Sequence, residues 1–289
     1  MTTPEPRAPE IAELLGAMPV AWSTVCGGYS QARRWAVTLP DGTSAFIKVG
    51  TDPFSCSSLR AEAHAYETLR GAFLPRYLGW RDGDEPLLAI EDLSAAFWPP
   101  PWTDARVRAV MDALADVHAT PAPDGFPALT DLGDFLRGWN DVAAEPEKFL
   151  ALEQCSPSWL DRNLDTLIEA QASVRLEGDA LLHLDVRSDN LCFRDERALL
   201  VDWSWARVGN PDVDLGFWLP SLAYESDHLP ESLLPDAPGV AALVSGFFAA
   251  RGSQPADGAD RVVRELQRTQ LKTALPWVVR ALDLGPVRS

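Results

Sequence analysis

Leu181 to Ala206 reads LLHLDVRSDNLCFRDERALLVDWSWA, and its short apolar runs broken by polar loops decide how the rest of the chain is understood. Leu181 and Leu182 form a short apolar strand and His183 to Asn190 a polar loop. A strand pair turning at Arg194 to Arg197 follows, and its second, apolar strand delivers Asp202. Asp185, Asn190 and Asp202 therefore emerge from the ends or edges of β elements, where a rigid frame aims them at one point. Magnesium takes hard oxygen ligands and only one or two of them from protein side chains. Asn190 and Asp202 supply such a pair, which leaves Asp185 to orient an attacking hydroxyl or accept its proton. The competing reading is an Asx-rich turn between two hairpin strands, with His183 capping a backbone carbonyl.

A second anchor lies upstream. The chain has three lysines, Lys48, Lys148 and Lys272, against 22 arginines, so a lysine inside the apolar run Ala45-Phe46-Ile47-Lys48-Val49 needs a reason. A compact ammonium reaches the α and β phosphates of ATP where a guanidinium fork is bulkier. The bland alternative is an outward-facing residue on an alternating edge strand. Ahead of it, Cys26-Gly27-Gly28-Tyr29-Ser30 joins two predicted strands, Val20 to Val25 and Ala32 to Leu39, and Ser44 to Val49 reads as a third. Two glycines let backbone N–H groups approach phosphate oxygens with no side chain in the way. A Gly-Gly hairpin is also an ordinary turn. Its register ahead of Lys48 gives it weight.

The segment H-x-D-x4-N, the later Val201-Asp202-Trp203 and the run Gly209-Asn210-Pro211-Asp212-Val213-Asp214-Leu215 together resemble the aminoglycoside phosphotransferase family, small-molecule kinases with the protein-kinase fold. Two departures stand out: Leu184 where that family has Gly, and Asn210 where it has Asp. The resemblance implies an α+β, bilobal protein-kinase-like fold. It divides into an N-terminal antiparallel sheet lobe with one main helix (residues 1–92) that binds nucleotide and a larger, mostly helical lobe (93–289) for catalysis and substrate. It implies transfer of the ATP γ-phosphate, with magnesium, to a hydroxyl of a small polar molecule, an aminoglycoside or a related sugar-like or cationic metabolite. Asp185 takes the proton, Arg187 either neutralises developing charge or is a plain surface arginine, and Asn190 and Asp202 hold the metal. Gly27, Gly28, Tyr29 and Ser30 cover the phosphates. Lys48 pairs with a helix carboxylate, Glu62, or alternatively Glu67 five residues on. Glu91 to Leu93 resembles the connector whose backbone holds adenine. Asp214 braces the catalytic loop, and His118 ends a helix as a structural residue. The alternatives are a kinase-like nucleotide-binding protein made inactive by Leu184, and a metal hydrolase built on His183, Asp185 and Asp202.

Composition narrows the partners. With 46% hydrophobic and 23% charged residues, the 289-residue chain is that of a folded protein large enough for two lobes. Its 42 acidic against 25 basic residues give a net charge of -17, which disfavours nucleic acid and anionic membranes and suits a cationic substrate. The start MTTPEPRAPE is neither basic nor apolar and no apolar run approaches 18 residues, so a cytoplasmic protein without signal peptide or span is expected. Cys26, Cys56, Cys155 and Cys192 show no C-x-x-C spacing and read as reduced thiols.

The remaining segments read mostly as helices. Ile11 to Met18 predicts a leading helix, Leu59 to about Arg70 a helix capped by Ser57 or Ser58, and Asp104 to His118 a helix capped by Thr103. Leu74 to Trp80 and Leu87 to Ile90 read as strands. Helical patterns over 132–152 and 158–172 precede the catalytic loop and offer Asp134, Trp139, Asn140 and Asp141 as candidate substrate contacts. Two further stretches, about 239–250 and 257–284, close the chain, the second expected to break at Pro276. Trp203, Trp205 and Trp218 are candidates to stack on a sugar or cover a cation, with core packing the stronger expectation for at least two. No long activation segment follows Asp202, so a small-molecule acceptor, not a protein, is expected.

Overall fold

A computed structural model describes residues 7–28, 30–256 and 260–288. The chain forms two compact units. One comprises the residues up to Pro99 with Asp104–Asp116 and Asp189–Ala206; the other comprises Pro100–Thr103, Val117–Ser188 and Arg207 onward.

The first unit is built on a five-stranded antiparallel sheet. Its strands are β1 (Ala21–Thr24), β2 (Arg33–Thr38), β3 (Ser44–Val49), β4 (Tyr77–Arg81) and β5 (Leu87–Glu91), ordered β1-β2-β3-β5-β4. Side chains alternate across a strand, so Trp35 and Val37, Ala45, Ile47 and Val49, and Leu87 and Ala89 share one face. Helix α1 (Ala8–Leu15) covers it with Ile11 and Leu14. Gly16, in the left-handed region at φ 76°, ends α1, two to three residues earlier than the pattern up to Met18 suggested.

Helix α2 (Pro53–Thr68) lies toward the opposite face and starts well before the predicted Leu59. The carboxylate of Asp52 accepts from the N–H groups of Phe54 and Ser55 at 3.0 and 3.2 Å, and the Ser55 hydroxyl accepts from the Asp52 N–H at 3.1 Å. Pro53 at the first helical position strengthens this start. Ser57 and Ser58 are therefore helix interior.

The hairpin β7 (Leu191–Arg194) and β8 (Arg197–Leu200) also belongs to this unit. Asp195 and Glu196 make its turn at φ 47° and 67°. The hairpin is tied in by the Leu200 N–H to the Phe73 carbonyl at 2.8 Å, and by two backbone bonds between Phe97 and Phe193. Cys192 and Leu199 pack with Leu93.

The second unit is mostly helical. Helix α3 (Asp104–Ala119) enters it from Val117. The segment predicted as one helix over 132–152 is three short ones, α4 (Gly133–Leu136), α5 (Gly138–Ala144) and α6 (Pro146–Leu150). Helix α7 (Pro157–Ala172) follows the Ser156 cap. Strand β6 (Ala180–Leu182) pairs with β9 (Arg207–Gly209), and α8 (Pro211–Glu225), α9 (Pro230–Leu233), α10 (Pro238–Gly252) and α11 (Asp260–Ala281) complete the unit. Helix α10 is buried along most of its length. Its Gly246 meets Gly138 of α5 so closely that a Cβ on Gly138 would lie 2.0 Å from the Gly246 carbonyl oxygen. Only glycines permit that crossing.

Helix α11 runs through Pro276 instead of breaking there. Its residues Ala274, Leu275, Trp277 and Val278 are at most 2% exposed, and this burial outweighs the roughly 3 kcal/mol that an interior proline costs. Among the described residues no helix is long and apolar enough to cross a membrane.

Candidate active site

Lys48 falls on the face of β3 turned away from the apolar cluster. Its ammonium nitrogen lies 2.7 Å from Glu62 Oε2 on α2 and 3.3 Å from Asp202 Oδ1. Lys48 and Glu62 are 7% and 3% exposed, so the pair is almost fully removed from water. Burial pulls the Lys48 ammonium down, but the carboxylates of Asp202 and Glu62 outweigh it and hold the group above its ordinary value. Burial, aided by the like charge of Asp202, raises Glu62 against the opposing pull of Lys48. Glu67 takes no part in this cluster; its carboxylate accepts from the Tyr77 hydroxyl at 3.0 Å.

Asp202 lies two residues past the end of β8 and takes a left-handed backbone, φ 63° and ψ 62°. The 3-10 turn Trp203–Trp205 after it is pinned by Trp203, which is fully buried against Phe73 and donates from Nε1 to the Leu200 carbonyl at 3.0 Å. Asn190 lies at the same open end of the hairpin. Its carbonyl accepts from the Val201 N–H at 2.9 Å, and the residue is 5% exposed. One hairpin thus carries both Asn190 and Asp202.

In the glycine loop, Gly27 and Gly28 take φ 120° and 78°, conformations that side chains disfavour. Tyr29 lies outside the described residues. The Ser30 hydroxyl accepts from Arg34 Nη2 at 2.8 Å. At the end of β5 the Glu91 carboxylate accepts from the Arg76 N–H at 2.8 Å and from Arg194 at 3.0 Å. Leu93 is buried, and its carbonyl accepts from the Ala96 N–H at 3.0 Å and the Trp98 indole at 3.1 Å.

In the helical unit the polar loop after β6 hangs on one carboxylate. Asp214, in the first turn of α8 and wholly buried, accepts from the His183 N–H at 2.9 Å and the Leu184 N–H at 2.6 Å, and its Oδ2 lies 2.9 Å from His118 Nε2. Asn210 supports that turn by capping α8, accepting from the Asp212 N–H at 3.0 Å. Asp185 follows, its N–H donating to His183 Nδ1 at 3.2 Å and its carboxylate joined to the Arg187 guanidinium. Arg187 is thus the counter-charge of Asp185.

Leu184 has φ 61°. It adopts the left-handed backbone that glycine takes freely, so the departure from glycine leaves the loop's path open and costs about 1–2 kcal/mol of strain. Leu184→Gly removes that strain but adds unfolded-state freedom of about 0.4–1 kcal/mol. The expected result in urea unfolding is a stability unchanged or raised by up to about 1.6 kcal/mol. A loss larger than that would show that the leucine side chain, not its backbone, matters at this position.

Two of the three tryptophans serve the core, as expected. Trp203 and Trp218 are 0% exposed, and Trp205, at 37%, is the most exposed of the three. Trp139 is buried with its indole donating to the Ala242 carbonyl; Asn140 Oδ1 accepts from Gln171; Asp141 is paired with Arg251. Asp134 is exposed on the short α4. Among the described residues no three His, Cys, Asp or Glu side chains gather as a metal cage, and His183 Nδ1 is occupied by a backbone N–H. Arg34 is a charged residue beside Lys48 that periodicity did not single out. Its only sequence signal was its place in an alternating strand after the glycines.

The antiparallel sheet with its one main helix, followed by a mostly helical part, is the α+β architecture of protein-kinase-like phosphotransferases. Residues 22–266 match the phosphotransferase enzyme family, and the chain belongs to it. Solved structures share the fold. A choline/ethanolamine kinase family protein from Mesorhizobium loti has a TM-score of 0.63 at 16% identity, covering 96% of this chain and 98% of that one. A macrolide 2'-phosphotransferase type I gives 0.53 at 19% identity, covering 99% and 95%. A choline kinase from Cryptosporidium parvum gives 0.54 at 8% identity, covering 91% and 88%. No curated protein matches the chain.

Proposed function

We propose that the protein is an ATP-dependent small-molecule kinase that moves the γ-phosphoryl group to a hydroxyl of a small polar acceptor. The observation that carries this reading is the buried contact of Lys48 with Glu62 at 2.7 Å and Asp202 at 3.3 Å, since a lysine fixed between two carboxylates on a sheet face is poised to hold phosphate. The donor set suits magnesium: a carboxylate from Asp202 and an amide oxygen from Asn190, both hard oxygens carried by one hairpin. Bound magnesium-ATP supplies the transferable phosphoryl group and neutralises its charge.

The chain's own residues do the rest. Lys48 steadies the α and β phosphates, the backbone of Gly27 to Ser30 covers them, and the strand end from Glu91 to Leu93 lies against the adenine. Asp185 orients the acceptor hydroxyl and takes its proton, while Arg187, joined to that carboxylate, offsets charge that develops as the bond forms. Residues 1–92 form the nucleotide-binding lobe and 93–289 the catalytic and substrate-binding lobe, and the site of action is the cytoplasm. The acceptor is a hydroxylated molecule bearing positive charge. The net charge of -17 supports this, as does likeness to proteins named for choline and ethanolamine. Leu184 in a glycine-like backbone supports an active enzyme over an inactive nucleotide binder.

Thermal melting tests the nucleotide half. Magnesium-ATP at 100 times its dissociation constant should stabilise the wild-type chain by about 2.7 kcal/mol, and Lys48→Ala should abolish most of that shift. A Lys48→Ala shift equal to wild type rejects the phosphate role of Lys48. Product-mass analysis with ATP against a panel of amino alcohols, aminoglycosides and neutral sugars tests the acceptor half. Transfer only to neutral sugars would overturn the cationic assignment.

A further inference from the structure

Lys48 is over-neutralised where it stands. One ammonium faces two carboxylates, Glu62 and Asp202, so the cluster alone carries net negative charge and repels a polyphosphate. Magnesium on Asp202 would answer part of that charge, and a second protein cation stands on the same face. In the β2–β3 register Arg34 is the direct cross-strand partner of Lys48, and directly paired residues project to the same side of a sheet.

The guanidinium of Arg34 is held under the glycine loop. Nη1 donates to the Ala32 carbonyl at 2.8 Å and, at 3.5 Å, to the Ser30 carbonyl; Nη2 donates to the Ser30 hydroxyl at 2.8 Å. All three acceptors are neutral, and among the described residues no carboxylate pairs with it. In a chain with 42 acidic residues, an arginine left without one is conspicuous. Its charge acts on both Lys48 and Glu62. Gly28 makes room for it: a Cβ there would lie 2.6 Å from Nη2 and 2.8 Å from Cζ. The missing side chain at Gly28 therefore clears space for a guanidinium as well as for a ligand's approach.

We propose that Arg34 is a second phosphate-binding cation, which donates from its guanidinium to a phosphate of the bound nucleotide beneath the Gly27 to Ser30 loop. The proposal rests on the kinase reading above and adds to it a residue that sets how strongly the site prefers a triphosphate. Lys48 acts as a point charge; Arg34 offers a planar fork of donors, and its present bonds to neutral oxygens are weaker than those it makes to an anion. A purely structural Arg34, serving only to prop the loop through Ser30 and Ala32, predicts a different pattern of losses.

The test is calorimetric titration of the full-length chain with ATP, ADP and adenosine in magnesium, for wild type, Arg34→Gln and Arg34→Lys. Arg34→Gln should weaken ATP about tenfold or more, ADP by less, and adenosine by less than about twofold, with a shallower salt dependence for ATP. Arg34→Lys, which keeps the charge and loses the fork, should fall between and serves if Arg34→Gln does not fold. Equal losses for adenosine and ATP, or ATP affinity within about twofold of wild type, would overturn the assignment and leave the kinase reading standing. Wild-type chain that binds none of the three nucleotides overturns both.

Discussion

Asp185→Ala should lower turnover by about 10²–10⁴-fold while leaving magnesium-ATP affinity within about threefold of wild type. The split follows from where the carboxylate stands. Asp185 belongs to the loop that Asp214 suspends, its main chain bonded to His183 and its side chain to Arg187. In the proposed reaction it acts on the acceptor's proton and not on the nucleotide, so binding and chemistry should separate. Asp185→Asn keeps the shape and removes the base, and it should fall as far as the alanine variant. Steady-state kinetics paired with ATP calorimetry check both. Near-normal turnover in either variant would remove Asp185 from the reaction, and a parallel loss of ATP affinity would move its role to the nucleotide.

The second large effect is on stability. Asp214→Ala should cost about 3–5 kcal/mol in chemical denaturation, well above the usual single-site loss. Two backbone N–H groups, of His183 and Leu184, and the ring of His118 depend on this one wholly buried carboxylate. Removing it strands those donors in the interior, each at roughly 1–3 kcal/mol. It also removes the bond that holds the Leu184 N–H in its left-handed backbone. Asp214→Asn keeps one acceptor but turns an amide N–H toward a donor, so it should recover only part of the loss. A cost under about 1 kcal/mol for the alanine variant would mean that the loop is held by something other than Asp214.

Much of this site was legible because its residues sit where local rules are strong. The hairpin Leu191 to Leu200 follows from two apolar runs around a polar turn, and β3 from the alternation that makes Lys48 conspicuous. The kinase-like order of Lys48, Asp185, Asn190 and Asp202 then came from resemblance. Other features depend on contacts between distant residues. Asp52-Pro53 begins α2, yet Ser57 and Ser58 are equally good caps on paper, and only the Asp52–Ser55 bonds decide. Helix α11 continues through Pro276 because Trp277 and Val278 are buried, and periodicity cannot weigh that. Arg34 reads as one more surface arginine until β2 is laid beside β3. The attachment of the hairpin to Phe73 and Phe97 brings Asn190 and Asp202 into the N-terminal unit, and no local pattern in 181–206 announces it.

Glu62 and Asp202 crowding one buried ammonium has a consequence for how this fold tolerates change. Two like charges held close, Glu62 almost wholly buried and Asp202 33% exposed, make the empty protein less robust than its architecture allows, and a bound polyanion with its metal relieves the tension. Substitutions that calm the empty cluster are therefore the ones that gain heat resistance at the expense of activity, a trade-off written into a few side chains. Directed evolution for thermostability alone would be drawn to these positions first, and it would dismantle the enzyme as it succeeded.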